Sequence, residues 1–587
     1  MSKLNVDQKT IKDLLTDKSA NFLIPDYQRQ YAWEENECQT LWDDIFSFAF
    51  PDNNKDAFKG SDEYFLGAIV TFKNDRGQSE VIDGQQRLTT ILLLLRAFYD
   101  RFEHMADQPS QDMRKNISQC IWRTDEFGNA DMSNLKIDSE VATDDEKEEF
   151  LSILKSGGAQ KLANSKYSKN YRFFEAKINT FVDEYPSYFA YLPARILNNC
   201  IILPIEADSQ DTALRIFSTL NDRGLPLADA DIFKAQFYKF YEKKGAKSSF
   251  IDSWKELSAV TDRIFHPSTG TPMDELFTKY MYYIRASEGN RSTTTEALRK
   301  FYEHEKYRRL LSSPVINDSS PVIDDLMVLA EFWKSVVEED EKRFSENVLQ
   351  KLFVLKYAPN GMWEYLTSVY FLSHKDAVGG LEDTDFAKFL AKITAFIFAY
   401  SLTNPGVNAL RTPVYAQMIK LLRKLKCDFA DFKFEEGHVR KVLENYKFTN
   451  NRMLTRSIIT WYAFTFEGQK RPGADIGGFD IEHIYAKERF NREKSLRDPA
   501  KLEELGNKIL LEKSINIRAS DYRFKDKVDY YNGYANGKGK VHPASIIQEY
   551  RQLTKMQDFT ETDIEKRDRR IHKKFIEYLR TEGLLKE

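Results

Sequence analysis

Tyr64-Phe-Leu-Gly-Ala-Ile-Val-Thr-Phe72, the polar run Lys73-Asn-Asp-Arg-Gly-Gln78, then Glu80-Val-Ile82 and Asp83-Gly-Gln-Gln-Arg87 follow one another closely, and their reading sets the fold class of the N-terminal part. β-Branched and aromatic residues fill the two runs on either side of a glycine-bearing polar segment, the pattern of two strands joined by a turn. Leu88, Ile91, Leu92, Leu95 and Phe98 then recur at helical spacing. The local order is strand, polar glycine turn, helix. At such a junction the first-turn amides and Arg87 face a place where the helix dipole favours an anion, and Gly84 would let a phosphate approach closely. Taken alone, the five residues 83–87 read more simply as a glycine turn with a helix-starting Asp83.

Outward from this junction, Cys38, Leu41, Trp42, Ile45 and Phe48 follow Glu34-Glu35 and predict an amphipathic helix over 35–49. Ile24-Pro-Asp-Tyr-Gln-Arg-Gln-Tyr-Ala-Trp33 gathers aromatic, amide and guanidinium groups into ten residues. Cys200-Ile-Ile-Leu-Pro-Ile-Glu206 predicts another strand, before a helix from about 211 that ends in Leu220-Asn-Asp-Arg-Gly224 with glycine as its left-handed cap. From about 245 to 450 amphipathic helices follow one another, for example Phe386, Leu390, Ile393, Ile397 and Tyr400 after the cap Asp383-Thr384. No fixed-period repeat and no low-complexity tract interrupts them. The loop-rich Gly468-Gln-Lys-Arg-Pro-Gly-Ala-Asp-Ile-Gly-Gly478 marks the clearest boundary.

Composition narrows the class. With 587 residues, 42% hydrophobic and 13% aromatic, the chain is long and apolar enough for two to four folded domains rather than a disordered one. Cys38, Cys120, Cys200 and Cys427 lie too far apart for a zinc knuckle or a disulfide scaffold, so a reducing, cytoplasmic setting is expected. The N-terminus has no apolar signal core and the longest greasy run breaks at Asn404-Pro405-Gly406, so no membrane span is expected. A net charge of -4 gives no global field for nucleic acid, so DNA contact requires a local patch. Lys566, Arg567, Arg569, Arg570, Lys573, Lys574 and Arg580 form a candidate, on a helix whose Ile564, Ile571, Phe575 and Leu579 face inward. A solvated helix face accounts for these charges equally well.

Of eight histidines, His483 alone has chemical company, in Phe479-Asp-Ile-Glu-His-Ile484. Phosphodiester hydrolysis needs a base for water and a divalent cation to neutralise developing charge. Glu482 and His483 offer both, but adjacent side chains of a regular strand point to opposite faces. A strand end or bulge is therefore expected at 482–484. Glu504-Leu-Gly-Asn-Lys-Ile-Leu-Leu-Glu-Lys-Ser-Ile-Asn516 supplies Asn507 and Asn516 nine residues apart. Amide oxygens ligate hard cations and amides brace bent loops. This assigns Glu482 and Asn516 as metal ligands for Mg2+ or Mn2+, His483 as base and Asn507 as loop brace. Arg518, Arg523, Lys525 and Lys527 are candidates to hold phosphates.

These residues resemble the His-Me finger (HNH-type) nucleases, and more narrowly the C-terminal half of GmrSD-type, modification-dependent (type IV) restriction enzymes. Two positions depart from the family pattern: Ala486 where proline is common, and Lys508 where leucine often follows the asparagine. The stretches 24–33, 64–67, 83–87 and 217–224 resemble the N-terminal module of the same enzymes. That resemblance implies a ParB/sulfiredoxin-like α/β fold associated with nucleotide hydrolysis. It places Asp83, Gly84, Gln85, Gln86 and Arg87 in a nucleotide motif, with Tyr27, Gln28 and Arg29 beside the same pocket. Asn221, Asp222 and Arg223 would close that pocket, or else form a helix C-cap. No Gly-x4-Gly-Lys-[Ser/Thr] pattern is present, so the expected nucleoside triphosphate site is not a P-loop.

The expectation is an α+β, predominantly helical protein in three parts: an α/β nucleotide-responsive sensor over 1–245, a helical connector over 246–450, and a ββα-metal nuclease domain over 451–587. Its expected activity is nucleotide-stimulated, metal-dependent cleavage of double-stranded, modified phage DNA, with NTPase activity and with homodimerisation left open. The rivals are a nuclease acting on unmodified DNA or RNA, and a nucleotide-gated protein that grips nucleic acid without cutting it.

Overall fold

The structure is a computed structural model, and it describes residues 5–6, 8–103, 105–141, 146–157, 164–210, 212–213, 216, 228–290, 296–312, 315–316, 320–406, 409–472, 478–519, 523–535 and 541–587. The expected helix end at 220–224 lies outside them. The chain divides into two compact units, Met1–Lys255 with Leu311–Ser313, and Glu256–Leu310 with Pro314–Glu587. The class is α+β, mostly helical, with a small mixed sheet.

The first unit is built on a seven-stranded sheet. Its elements in chain order are β1 (Phe22–Ile24), α1 (Glu35–Ala49), β2 (Tyr64–Lys73), β3 (Ser79–Asp83), α2 (Gln85–Phe102), β4 (Ile137–Ser139) and β5 (Cys200–Ala207). β2 and β3 pair antiparallel, as the two β-rich runs require, while β2 lies parallel to β5, and β1 parallel to both β3 and β4. Asn5–Val6 and Lys9–Thr10 close the far edge on β5. α2 is apolar almost all round, with Leu88 and Ile91 through Leu95 buried, and such a helix belongs in a core. Helices 166–184 and 108–121 cover it. α1 spans the predicted 35–49, opened by a capping box between Glu34 and Glu37.

In the second unit, helices between 256 and 450 and the C-terminal elements share one core. α3 (Asp383–Thr403) is capped by the Glu382 side chain, which accepts from the amides of Thr384 and Asp385, so the cap falls one residue before the predicted Asp383. This helix is long and apolar enough to cross a membrane, but two thirds of its apolar window is buried inside the unit, as in a core helix. Next come α4 (Met453–Ala463), β6 (Phe479–His483), β7 (Lys508–Glu512), α5 (Lys513–Ala519), α6 (Phe524–Asn532) and α7 (Glu561–Thr581). Tyr578 of α7 donates to the Ala391 carbonyl of α3 at 2.6 Å, and Trp461 of α4 stacks on Tyr578 with centroids 5.0 Å apart. In the loop after α4, Arg471 is buried against Glu339, Glu341 and Glu346. The helices thus form a wall of the C-terminal core.

Candidate functional site

β6 and β7 form a two-stranded antiparallel sheet in regular register, with Glu482 opposite Ile509 and His483 opposite Lys508. The strand ends at His483, the expected place, but without a bulge before it. Glu482 and His483 therefore keep opposite directions, and separate side-chain networks meet them. α5 starts at the residue after β7 and packs against both strands, so Asn516 stands on a helix joined directly to the sheet.

Lys508 donates from Nζ to His483 Nε2 at 2.5 Å, to Glu503 at 2.7 Å and to Asn450 Oδ1 at 2.9 Å. An ammonium has three donors, and here three acceptors meet it. Glu503 also pairs with Lys487 at 2.8 Å and lies 3.7 Å from His483 Nε2. Asn450 donates to the Ile481 carbonyl and lies 3.4 Å from His483 Nδ1. Burial lowers the His483 pKa; Glu503 opposes that shift, and the positive charges of Lys508 and Lys487 reinforce it. Burial also pulls Lys508 down to about 8.

Asn507 is fully buried, and its side chain closes the turn after β6. Its Oδ1 accepts from Tyr485 N at 2.7 Å, and its Nδ2 donates to Tyr485 O at 3.1 Å and Leu502 O at 3.3 Å. Buried main-chain groups need such partners, so Asn507 acts as a brace. Gly506 permits this geometry, because a Cβ there would stand 2.1 Å from the Ile564 carbonyl. Arg567 then fixes the loop from behind: it donates to the carbonyls of Leu505, Gly506 and Lys508 and pairs with the buried Glu549.

On the other face, buried Glu482 receives Lys527 Nζ at 2.5 Å and Tyr531 OH at 3.1 Å, both on Oε1. Lys527 also donates to the His483 carbonyl at 2.8 Å. Lys527 was expected among the phosphate-holding residues; its side chain is buried on Glu482 instead. Arg523 pairs with Glu493, Lys525 is exposed, and the buried Nε of Arg518 lacks a hydrogen-bond partner among the described residues. In the basic helix, Arg567 is likewise buried rather than surface-facing, because it lies three residues after Ile564 and four before Ile571 on the inward stripe. Arg569, Arg570, Lys573 and Arg580 pair with carboxylates and Lys574 with Thr465, leaving the exposed Lys566 to face solvent.

For a hard divalent cation the chain offers the Glu482 carboxylate and the Asn516 amide. Two oxygen donors suit Mg2+, which retains several waters. Among the described residues no group of three His, Cys, Asp or Glu side chains could hold a metal ion, so a cation here would rest on these two donors and water. The donor chemistry fits, with Lys527 already on one Glu482 oxygen.

The 83–87 junction lies in the first unit. Gln85 donates to the Arg29 carbonyl at 2.9 Å. Gln86 accepts from Ala32 N at 2.6 Å and Trp33 N at 3.3 Å, and donates to Gln30 O at 3.2 Å. Gln28 returns two bonds, to Val81 O and Ile82 O. Stretch 24–33 and the motif are thus brought together, but through buried amides that serve main chain. Tyr27 is buried and donates to Glu80 at 3.0 Å.

At Gly84 (φ +88°) a Cβ would stand 2.7 Å from Ile69 Cγ1, so close packing on β2 by itself requires glycine there. Arg87 donates to the Ala68 carbonyl at 3.0 Å and has no ion pair among the described residues. It lies flat over Gly67, where a Cβ would come within 2.7 Å of Nη1. Burial lowers the Arg87 pKa and raises that of Asp83; Gly84 N, Arg87 and Arg29 each draw Asp83 back down. Arg87 and Arg29 beside a helix N-terminus suit a phosphate. Asn221, Asp222 and Arg223 lie outside the described residues. Sequence reasoning missed Gly67, Glu503, Asn450 and Lys508, although Lys508 was visible as a departure from the family pattern.

Comparison with known families gives two matches on this chain. The GmrSD restriction endonuclease N-terminal domain covers residues 11–238, and the GmrSD restriction endonuclease C-terminal domain covers 422–574. The first contains the 83–87 junction, the second the β6–β7 hairpin. No curated protein matches the chain. With both domains present in order, the chain belongs to the GmrSD-type type IV restriction endonucleases, DNA-cutting enzymes of phage defence.

Proposed function

We propose that DNA is cut at the β6–β7 hairpin by metal-dependent hydrolysis with His483 as general base. The observation that carries this reading is the support of one imidazole by Lys508, Glu503 and Asn450 on a hairpin braced by Asn507. The hairpin followed directly by α5 is also the order of elements in a His-Me finger, and supports assigning that fold. For Nδ1 to take the proton of the attacking water, Nε2 must carry the ring's own proton toward Glu503, so the Lys508 hydrogen bond to Nε2 would give way in the reactive tautomer. Because burial lowers its pKa, the imidazole is neutral near pH 7 and able to accept that proton. A divalent cation held by Glu482 and Asn516 would neutralise charge on the scissile phosphate and its leaving oxygen.

The first unit is read as a nucleotide-responsive, ParB/sulfiredoxin-like module in which Arg87 and Arg29 bind phosphate and the glutamines hold the frame. Its occupancy by a nucleoside triphosphate, which it would also hydrolyse, and the modification state of the phage DNA would control cutting. The protein would act in the cytoplasm. The test is cleavage of plain and modified phage DNA with Mg2+ or Mn2+ and a nucleotide panel, together with assay of phosphate release. Equal cutting of both DNAs favours a nuclease without modification dependence; binding without cutting under every condition favours the nucleotide-gated binder.

A further inference from the structure

We propose that Lys527 is an internal cation that occupies Glu482 in the metal-free chain, and that a divalent metal competes with it for the same carboxylate. This rests on the reading of Glu482 as a metal ligand and says what regulates that ligand.

Three observations carry the inference. The Lys527 Nζ bonds both to Glu482 Oε1 and to the His483 carbonyl, so the ammonium stands among hard oxygen donors of the kind Mg2+ and Mn2+ select. Side-chain exposure is 1% for Lys527 and 8% for Glu482, so solvent cannot replace either partner, and a buried carboxylate without a cation is strongly disfavoured. The placement is also built: Lys527 and Tyr531 lie four residues apart on α6, so one helix face presents an ammonium and a hydroxyl to the same carboxylate oxygen. α6 packs against α5, which carries Asn516, so the helix that supplies the competing ammonium touches the helix that supplies the second proposed ligand.

A positive charge already on the carboxylate weakens attraction for a second one. The metal therefore binds more weakly than the two oxygen donors alone would allow, and the nuclease centre is unloaded at low metal concentration.

The experiment is Mn2+ titration of the full chain, with free Mn2+ counted by electron paramagnetic resonance and without DNA. Lys527→Met and Lys527→Gln, which remove the charge, should bind Mn2+ at least tenfold more tightly than wild type; Lys527→Arg, which keeps it, should show no gain. Glutamine retains a donor to Glu482 and serves where methionine compromises folding, as monitored by thermal melting. Glu482→Gln should abolish the site in both backgrounds. If Glu482→Gln abolishes binding but neither charge-removing variant tightens it, the competition is refuted while the metal reading stands. If Mn2+ binding survives Glu482→Gln unchanged, the metal reading itself fails, and the competition with it.

Discussion

The two polar motifs, 83–87 in one unit and 482–516 in the other, use their side chains in opposite ways. At the strand-to-helix junction, Gln85 and Gln86 are consumed by the main chain of 29–33, and Gln28 by that of 81–82. These amides cannot titrate, and their bonds fix a frame around Arg87 and Asp83. At the hairpin the reverse holds: Glu482 and His483 meet the buried ammonium groups of Lys527 and Lys508, and the frame is supplied separately by Asn507, Gly506 and Arg567. A neutral amide whose bonds are spent on main chain is scaffold, whereas an ionisable group keeps the capacity for chemistry. On the proposed reading the functional group of the first motif is the guanidinium, which spends one bond on the Ala68 carbonyl, and those of the second are the imidazole and the carboxylate.

The distinction can be broken by substitution, beginning with the largest expected effect. Arg567→Ala leaves Glu549 as a buried carboxylate whose nearest remaining cation is the half-exposed Arg570, and frees three loop carbonyls. It should destabilise the second unit by about 3–5 kcal/mol, measured by denaturant unfolding. A loss within 1 kcal/mol would mean that the loop is held by other contacts. Gln86→Ala in the other motif removes neutral hydrogen bonds only, so its cost should be about 1–3 kcal/mol. Arg87→Lys should leave stability within about 0.5 kcal/mol, yet weaken nucleotide binding about tenfold, since lysine lacks the planar fork. Equilibrium nucleotide binding separates the two: if Gln86→Ala, corrected for unfolded protein, lowers affinity more than Arg87→Lys, the division into scaffold and functional group is wrong.

The smallest effect is on pH dependence. A histidine with a lowered pKa keeps its neutral, proton-accepting form as pH falls below the ordinary value of 6.5, so the acid limb of the cleavage profile should have its midpoint below 6.5. Glu503 raises the His483 pKa, so Glu503→Gln should move that midpoint lower still. A midpoint at or above 6.5 in wild type would show that another group governs the limb.

Much of this was legible in the chain, for identifiable reasons. The 35–49 helix, the β2–β3 pair and β5 follow from strong periodicity and a glycine-bearing turn, and the hairpin from two motifs whose resemblance carries its own geometry. The pairing of His483 with Lys508 was not legible, because it depends on antiparallel register across 25 residues, and lysine in sequence reads as a surface residue. Lys527 was hidden in the same way, by a contact 45 residues distant. Arg567 carried a usable signal: its spacing from Ile564 and Ile571 puts it on the apolar face, where a guanidinium must find buried acceptors. Gly67 and Gly506 show their purpose only when the groups packed over them, Arg87 and the Ile564 carbonyl, are known.

The central claim is that the β6–β7 hairpin is the nuclease centre and His483 its base. The most direct measurement is single-turnover DNA cleavage by wild type and His483→Ala at saturating Mn2+, with thermal melting and nucleotide affinity recorded on the same preparations. The account predicts a rate loss of roughly 10²–10⁴-fold with melting and nucleotide affinity unchanged. Cleavage by His483→Ala at the wild-type rate would contradict it.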